Sequence, residues 1–277
     1  MVAPDAQQVG AQVAGALAED VGSGDLTASL VPADAPGEAR VIARQQALLC
    51  GRDWFDEVFR QVDPAVLVEW RCAEGAQLQD GLEVCRIRGA ARSLLTAERT
   101  ALNFLQTLSG TATRAARYVA AVAGTGARIL DTRKTVPGLR LAQKYAASVG
   151  GASNHRVGLY DAVLIKENHI AAAGSVAAAL EAAQALQAGA WIEIEVEDLE
   201  QLQEALQAGA RRVLLDNFDL QQLREAVALT AGLARLEASG GVSLETIRGI
   251  AETGVDDISV GDITKDIRAV DFSMRFV

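Results

Sequence analysis

The chain reads as an α/β protein, an incomplete parallel (β/α) barrel with an N-terminal α+β half-barrel or sandwich domain. Three observations predict this. From residue 127 onward, short apolar segments alternate with Ala/Leu/Gln-rich helical segments in units of about 20 residues, which implies a parallel sheet covered by helices. Before Thr96 the texture differs, with β-prone pieces punctuated by Gly and Asp around one helical insert. At 277 residues the chain is long enough for one α/β barrel with an addition.

Taken in order, residues 4–19 carry Val9, Val13 and Leu17 at helical spacing. The pattern stops in EDVGSGDLTASLVP, where Gly22, Gly24 and Pro32 predict a loop. From Gly37 to Leu95, EARVIARQQALLCG, AVLVEWRCAEGAQLQDGLEVCRIRG and ARSLLT read as strands, with DWFDEVFRQV as a helix between them. Thr96 precedes a long helix, TAERTALNFLQTLSGTATRAARYVAAV, with a weak point at Ser109-Gly110. Strands are predicted at 127–131, 162–167, 191–196, 211–216, 234–239 and 256–261, too few to close a full barrel. AGA at 188–190 and 208–210, and TGV at 253–255, stand where a helix turns into the next strand, because glycine accepts a left-handed backbone. The expected division is 1–108 for the first domain, with 268–277 packing back on it, and 109–267 for the barrel.

Composition narrows the function classes. Half the residues are hydrophobic and 22% are charged, ordinary for a globular protein. Apolar runs break well before the roughly 18 residues of a membrane span, and the N-terminus lacks a basic flank and an apolar core, so a cytoplasmic protein without membrane contact is expected. Cys50, Cys72 and Cys85 form an odd set without CxxC, which argues for free thiols. A net charge of -10 and a pI near 4.8 exclude a general affinity for nucleic acid. Any anion must be captured locally.

The place for that capture is visible. Residues 131–170 hold both histidines and six basic residues, Arg133, Lys134, Arg140, Lys144, Arg156 and Lys166, against three acids, Asp131, Asp161 and Glu167. Active sites of such barrels lie at the C-terminal strand ends, and there stand Arg133 and Lys134, Lys166, Glu195, Asp216, Glu237 with Ser239 and Gly240, and Gly261 with Asp262. Arg133, Lys134, Arg156 and Lys166 together suit several anionic groups, since guanidinium forks match carboxylates and lysine serves phosphate. Lys166 could also act as a Schiff-base nucleophile, although four cations fit anion clamping better. Glu195 and Asp216 could share Mg²⁺, directly or through water, or pair with Lys166 or Arg133. Ser239-Gly240-Gly241 and Gly261 suit a phosphate. His155 and His169, without a third histidine or a suitable cysteine, do not make a zinc site.

On these residues the chain resembles the quinolinate phosphoribosyltransferase family, the carboxylating nicotinate-nucleotide pyrophosphorylases of NAD biosynthesis. The match runs from about Glu19 to the C-terminus, through EDVGSGDLT, LLTAERTALNFLQTLSGTAT, LDTRKTVPGLR, GGASNHRVGLYDAVLIKENHI, IEIEVE, LLDNF, LEASGG and DISVGDITKDIRAVDFSMRF. The resemblance implies transfer of the phosphoribosyl group of phosphoribosyl pyrophosphate (PRPP) to quinolinate with decarboxylation, giving nicotinate mononucleotide, diphosphate and CO₂. It also implies a homodimer in which the N-terminal domain of one subunit covers the barrel mouth of the other.

By the same resemblance, Arg133, His155, Arg156 and Lys166 match positions that hold quinolinate, helped by Arg99 of the partner subunit. Lys134, with Arg44 of the partner subunit, matches the diphosphate side, and Lys265 could meet diphosphate too. Glu195 and Asp216 match the ribose and Mg²⁺ acids and, with Lys134, are the expected catalytic residues. Ser239, Gly240 and Gly261 match the 5′-phosphate loop, and His169 has a supporting role. The expected cofactor is Mg²⁺ with no organic cofactor, because the substrate's own pyridinium is the electron sink. The chain departs from the family pattern at Gly261-Asp262-Ile263-Thr264, where Gly-Ala-Leu-Thr is usual, at Lys265, where some members have histidine, and at Ala152, which replaces a glycine. A carboxylate at 262 repels a phosphate unless it turns away. A relative acting on another heterocycle and a Schiff-base aldolase using Lys166 are the competing readings.

Overall fold

The computed structural model describes residues 4–186 and 189–277. The chain forms two compact units. One holds the described residues through Ala116 with Thr135–Gly151 and Asp266–Val277, and the other holds Arg117–Lys134 with Ala152–Lys265. The division therefore interleaves along the chain: the sequence reading set 1–108, with 268–277 packing back on it, against 109–267, and left Thr135–Gly151 in the barrel.

In the first unit, α1 (Ala6–Val21) starts at Asp5, whose side chain accepts the Gln7 N–H, and buries Val9 and Val13. The strands are β1 (Pro36–Ala43), β2 (Ala47–Leu48), β3 (Leu67–Trp70), β4 (Gln77–Leu78) and β5 (Glu83–Ala90), with α2 (Arg52–Val62) between β2 and β3. A further strand, β12 (Phe272–Phe276), comes from the chain's end and pairs antiparallel with β1, giving the sheet order β12-β1-β5-β3. Trp54, Phe55 and Phe59 of α2 are buried in its core with Leu49 and Ile87. Cys50, Cys72 and Cys85 are free.

Two sequence readings need correction here. ARSLLT is not a strand: α3 spans Ala91–Ala121 and follows β5 directly. Leu94, Ala97, Ala101, Leu105 and Leu108 are all fully buried, a stripe of period three to four that already begins in ARSLLT. Nor is Ser109-Gly110 a break. A Cβ at Gly110 would collide with the Arg268 carbonyl, so this glycine lets the C-terminal segment pass close to the helix. Ser109 is held as well, bonding the amide and carbonyl of Cys50.

Asp56 on α2 accepts the Trp70 indole N–H at 2.9 Å, and burial pushes its carboxyl up to about 6. A folded pKa above the unfolded value of about 3.9 means the folded state holds the proton more tightly. The associated stability is complete below about pH 4 and is lost as pH rises through about 6. After discounting for partial exposure, Asp56→Asn is expected to be about 1–2 kcal/mol more stable than wild type at pH 8 and unchanged at pH 4. Thermal unfolding at the two pH values measures this directly.

Among the described residues the second unit contains six parallel strands, β6 (Arg128–Leu130), β7 (Val163–Ile165), β8 (Ile192–Val196), β9 (Arg212–Asp216), β10 (Arg235–Ser239) and β11 (Asp257–Ser259), in the order β6-β11-β10-β9-β8-β7. Helices α5 (Glu167–Ala173), α6 (Val176–Ala185), α7 (Leu199–Gln207), α8 (Leu220–Thr230), α9 (Ile247–Ala251) and α10 (Asp262–Lys265) alternate with them, while α4 (Arg140–Val149) belongs to the first unit. A parallel bridge between Leu130 and Ser153 extends the edge beyond β6. His155, two residues further on, reaches Glu193 on β8 and Glu237 on β10, so the sheet curls. The turns before β9 and β11 use Gly209 and Gly254 in left-handed conformation. The first residue of AGA at 188–190 lies outside the described residues. Among the described residues no helix is long and apolar enough to cross a membrane.

Candidate active site at the strand ends

In the second unit, the predicted strand-end residues stand at one end of the sheet. Arg133 and Lys134 follow β6, and Lys166 follows β7 as the N-cap of α5. Glu195 lies near the end of β8, while Asp216 and Ser239 end the adjacent β9 and β10 in direct register. Gly240 comes immediately after β10, and Gly261 stands two residues beyond the end of β11.

The cations crowd one another. Arg156 is buried, and burial first, then the neighbouring Arg133 guanidinium, hold it below the usual arginine range. One nitrogen of Arg156 donates to the Ala162 carbonyl at 3.2 Å. Arg133 and Lys134 have no carboxylate partner within salt-bridge distance among the described residues, and the buried Nε of Arg133 has no hydrogen-bond acceptor. Two adjacent guanidiniums, neither within salt-bridge distance of a carboxylate among the described residues, form a site that an anion stabilises. The Lys134 backbone is fixed, its N–H donating to Thr132 Oγ1 at 3.0 Å and its carbonyl accepting the Thr264 hydroxyl at 2.8 Å. Its side chain lies across Gly261, where a Cβ would come within 3.0 Å of Lys134 Cδ.

The question left open for Glu195 has a definite geometry: its carboxylate is bonded to the Lys166 ammonium. Asp216 accepts the Asn217 side-chain N–H at 2.8 Å. Asn217, which sequence reasoning passed over, sits in left-handed conformation (φ 58°) and donates its backbone N–H to the Ser239 carbonyl at 2.9 Å. Its side chain also fills the space where a Cβ at Gly240 would stand. One asparagine thus ties the acid at the end of β9 to the Ser239-Gly240 loop. Its αL tolerance beside a strand-end acid was the available signal.

The departures at 262 and 152 are accommodated. Asp262 accepts the Tyr118 hydroxyl, so a definite partner holds its carboxylate. The turn before Ser153 is made at Gly151, with φ 90°, and Ala152 needs no left-handed backbone. His169 accepts the Lys166 N–H on Nδ1 at 2.9 Å, a capping contact that fits a supporting role. Lys265 is exposed at the end of α10. Arg44 and Arg99 are in the first unit, and both are exposed.

Inside the curled sheet lies a second polar cluster. His155 Nε2 is 3.0 Å from Glu193 and 3.5 Å from Glu237, and these ligand-type atoms all fall within 4.8 Å of one another. Arg212 approaches Glu193, Glu237 and Asp257 at 3.5–3.7 Å, and Arg128 and Arg235 pair with Asp257. Three acids face three arginines, so the cluster is an internal ion network. Burial raises Glu193 to about 7 and Glu237 to about 8, the Glu193 charge adding to the shift of Glu237. This cluster was legible in part. Residues two apart on a strand share a face, so Glu193 goes with Glu195 and Glu237 with Ser239.

Comparison with known proteins agrees with this geometry. The family model described as the N-terminal domain of quinolinate phosphoribosyl transferase matches residues 25–109, and that of its C-terminal domain matches 111–275. The chain is 44% identical to the nicotinate-nucleotide pyrophosphorylase [carboxylating] of Mycobacterium leprae, covering 94% of each chain. It is 40% identical to the probable enzyme of the same name from Bacillus subtilis, over 92% of this chain and 89% of that one. The solved structure of the nicotinate-nucleotide pyrophosphorylase from Francisella tularensis superposes with a TM-score of 0.97 at 43% identity, covering 99% of this chain and 98% of that one. With both family domains matched over nearly its whole length, the chain belongs to the quinolinate phosphoribosyl transferase family.

Proposed function

We propose that the chain transfers the phosphoribosyl group of PRPP to quinolinate with decarboxylation, releasing nicotinate mononucleotide, diphosphate and CO₂ for NAD biosynthesis in the cytoplasm. The observation that carries this reading is the pair of adjacent guanidiniums, Arg133 and Arg156, neither in an ion pair among the described residues, beside Lys134 at the strand ends. Quinolinate supplies two carboxylates and PRPP supplies phosphoryl groups, the anions that these cations lack within the protein. Arg133, Arg156 and Lys166, with His155 nearby, hold the dicarboxylate. Lys134 and Lys265 meet the diphosphate, and Ser239, Gly240 and Gly261 receive the 5′-phosphate.

The pyridine nitrogen attacks the anomeric carbon as diphosphate departs, and Glu195 or Asp216 stabilises the positive charge that develops on the ribose. The carbon–carboxylate bond at C2 then breaks. Its electron pair stays on C2, beside the pyridinium nitrogen that stabilises it, and protonation there completes the product. Mg²⁺ fits the donor set: Glu195 and Asp216 offer hard carboxylate oxygens on adjacent strands, and this ion needs only one or two carboxylates beside phosphate and water. When bound, it neutralises charge on the diphosphate.

Nicotinate, which lacks the C2 carboxylate, tests the dicarboxylate reading. Its kcat/KM is expected to be at least about 100-fold below that of quinolinate, because one guanidinium is left unpaired. Equal turnover of nicotinate contradicts the assignment.

Arg99 and Arg44, exposed and without a carboxylate partner among the described residues, are proposed to complete the site of a second copy in a homodimer. Arg99→Ala and Lys134→Ala proteins are each expected to be inactive alone. Mixed under conditions of subunit exchange, they should regain activity toward about a quarter of the wild-type level, since a hybrid dimer carries one intact site. Exchange without recovery contradicts a shared site.

A further inference from the structure

The reaction as described gives no role to the buried acids behind His155, yet their network touches the substrate clamp. Arg156 donates its backbone N–H to His155 Nδ1 at 2.8 Å, so Nδ1 is an acceptor and the ring hydrogen lies on Nε2. Nε2 points into the sheet, 3.0 Å from Glu193 Oε2 and 3.5 Å from Glu237 Oε1. Glu237 is held in turn by the Ser259 hydroxyl, and Arg212 lies 3.7 Å from its other oxygen. The ring packs edge-on against Trp191 at 5.1 Å, and the Arg212 guanidinium stacks over the same indole at 4.8 Å. The His155 backbone N–H is pinned by the buried Asp131 at 2.9 Å. Both imidazole nitrogens therefore serve protein groups, one holding the ring down and the other holding Arg156.

We propose that Glu237, with Glu193, is a positioning residue that acts through the His155 ring to hold Arg156 in place for the substrate carboxylate. This rests on the dicarboxylate reading of Arg156 and extends it to a carboxylate that, among the described residues, pairs with His155 and Arg212 and with none of the strand-end cations. Glu193 accepts the Nε2 hydrogen and Glu237, fixed by Ser259, lies beside it. An amide at 237 sets a donor against Nε2–H, so the ring tilts and the Arg156 amide loses its fixed acceptor. The expected deficit is in quinolinate binding, while the PRPP side of the site, where Lys134 is held by Thr132 and Thr264 and the Ser239-Gly240 loop by Asn217, keeps its affinity.

The test is Glu237→Gln, which keeps the side-chain shape, with both substrates varied. The KM for quinolinate is expected to rise about 10-fold or more and the KM for PRPP to stay within about 2-fold. Combining Glu237→Gln with His155→Ala should give a quinolinate KM no worse than His155→Ala alone, because a residue acting through the ring has nothing left to act on. A purely structural role predicts multiplying losses and a matching change for PRPP. Should Glu237→Gln fail to fold, Ser259→Ala, which removes the hydroxyl holding Glu237, is expected to shift the same constant in the same direction. Wild-type turnover is measured first, since its absence overturns the reaction itself. Turnover with an unchanged quinolinate KM in the variant, or multiplying losses in the double variant, overturns only the role given to Glu237.

Discussion

Lys134→Ala is expected to lower kcat/KM for PRPP by about 10³-fold while leaving the unfolding temperature within about 2 °C of wild type. The split follows from how this residue is held. Its backbone is fixed by Thr132 and Thr264, contacts that alanine keeps. Its ammonium has no carboxylate partner among the described residues, so its loss removes no ion pair of the free protein. What disappears is a point charge beside the departing diphosphate, where negative charge builds in the transition state. Lys134→Arg is expected to restore little, because the side chain runs close over Gly261 and a broader guanidinium has no equivalent path. Steady-state kinetics with both substrates, paired with thermal unfolding, separate the two effects. Near-wild-type turnover by the alanine variant contradicts the diphosphate role.

Gly240→Ala should damage both stability and activity. Gly240 has φ 95°, and a Cβ there would strike the Asn217 side chain. Relief requires Asn217 to move, and Asn217 also holds Asp216 and the Ser239 carbonyl. The expected outcome is a stability loss of about 1–3 kcal/mol and a fall in kcat/KM for PRPP of about 10²-fold. Gly241→Ala provides the contrast. It too has a positive φ, 59°, but a Cβ there meets nothing within 4 Å. It should therefore cost some stability and little activity. Equal kinetic losses at 240 and 241 would mean that the loop tolerates Asn217 displacement and that the link to Asp216 is unimportant.

These two residues also show what the sequence makes legible. Lys134 and Gly240 are found from strand-end position alone, because the alternation of strand and helix marks where each parallel strand must stop. The six parallel strands follow from that same alternation, and the observed spans differ mainly at the short β7 and β11, whose ends leave the ladder early. Asn217 is not found that way, since its role depends on a left-handed backbone and on a loop from the next strand. ARSLLT misleads because residue type favours a strand while the buried stripe that makes it helical continues beyond it, from Ala97 onward. Ser109-Gly110 misleads for a related reason: glycine is placed there by the approach of Arg268, a contact across nearly 160 residues of chain. The internal acids were within reach of a period-two reading. Their arginine partners, one per neighbouring strand, become apparent only when the sheet order is known.

The most direct test of the account is release of labelled CO₂ from quinolinate carrying the label in its C2 carboxylate. The protein is incubated with PRPP and Mg²⁺, and nicotinate mononucleotide is quantified alongside. The account predicts label release and mononucleotide in equal amounts, dependent on PRPP and abolished in Lys134→Ala. Absence of mononucleotide, or label release that does not require PRPP, would contradict it.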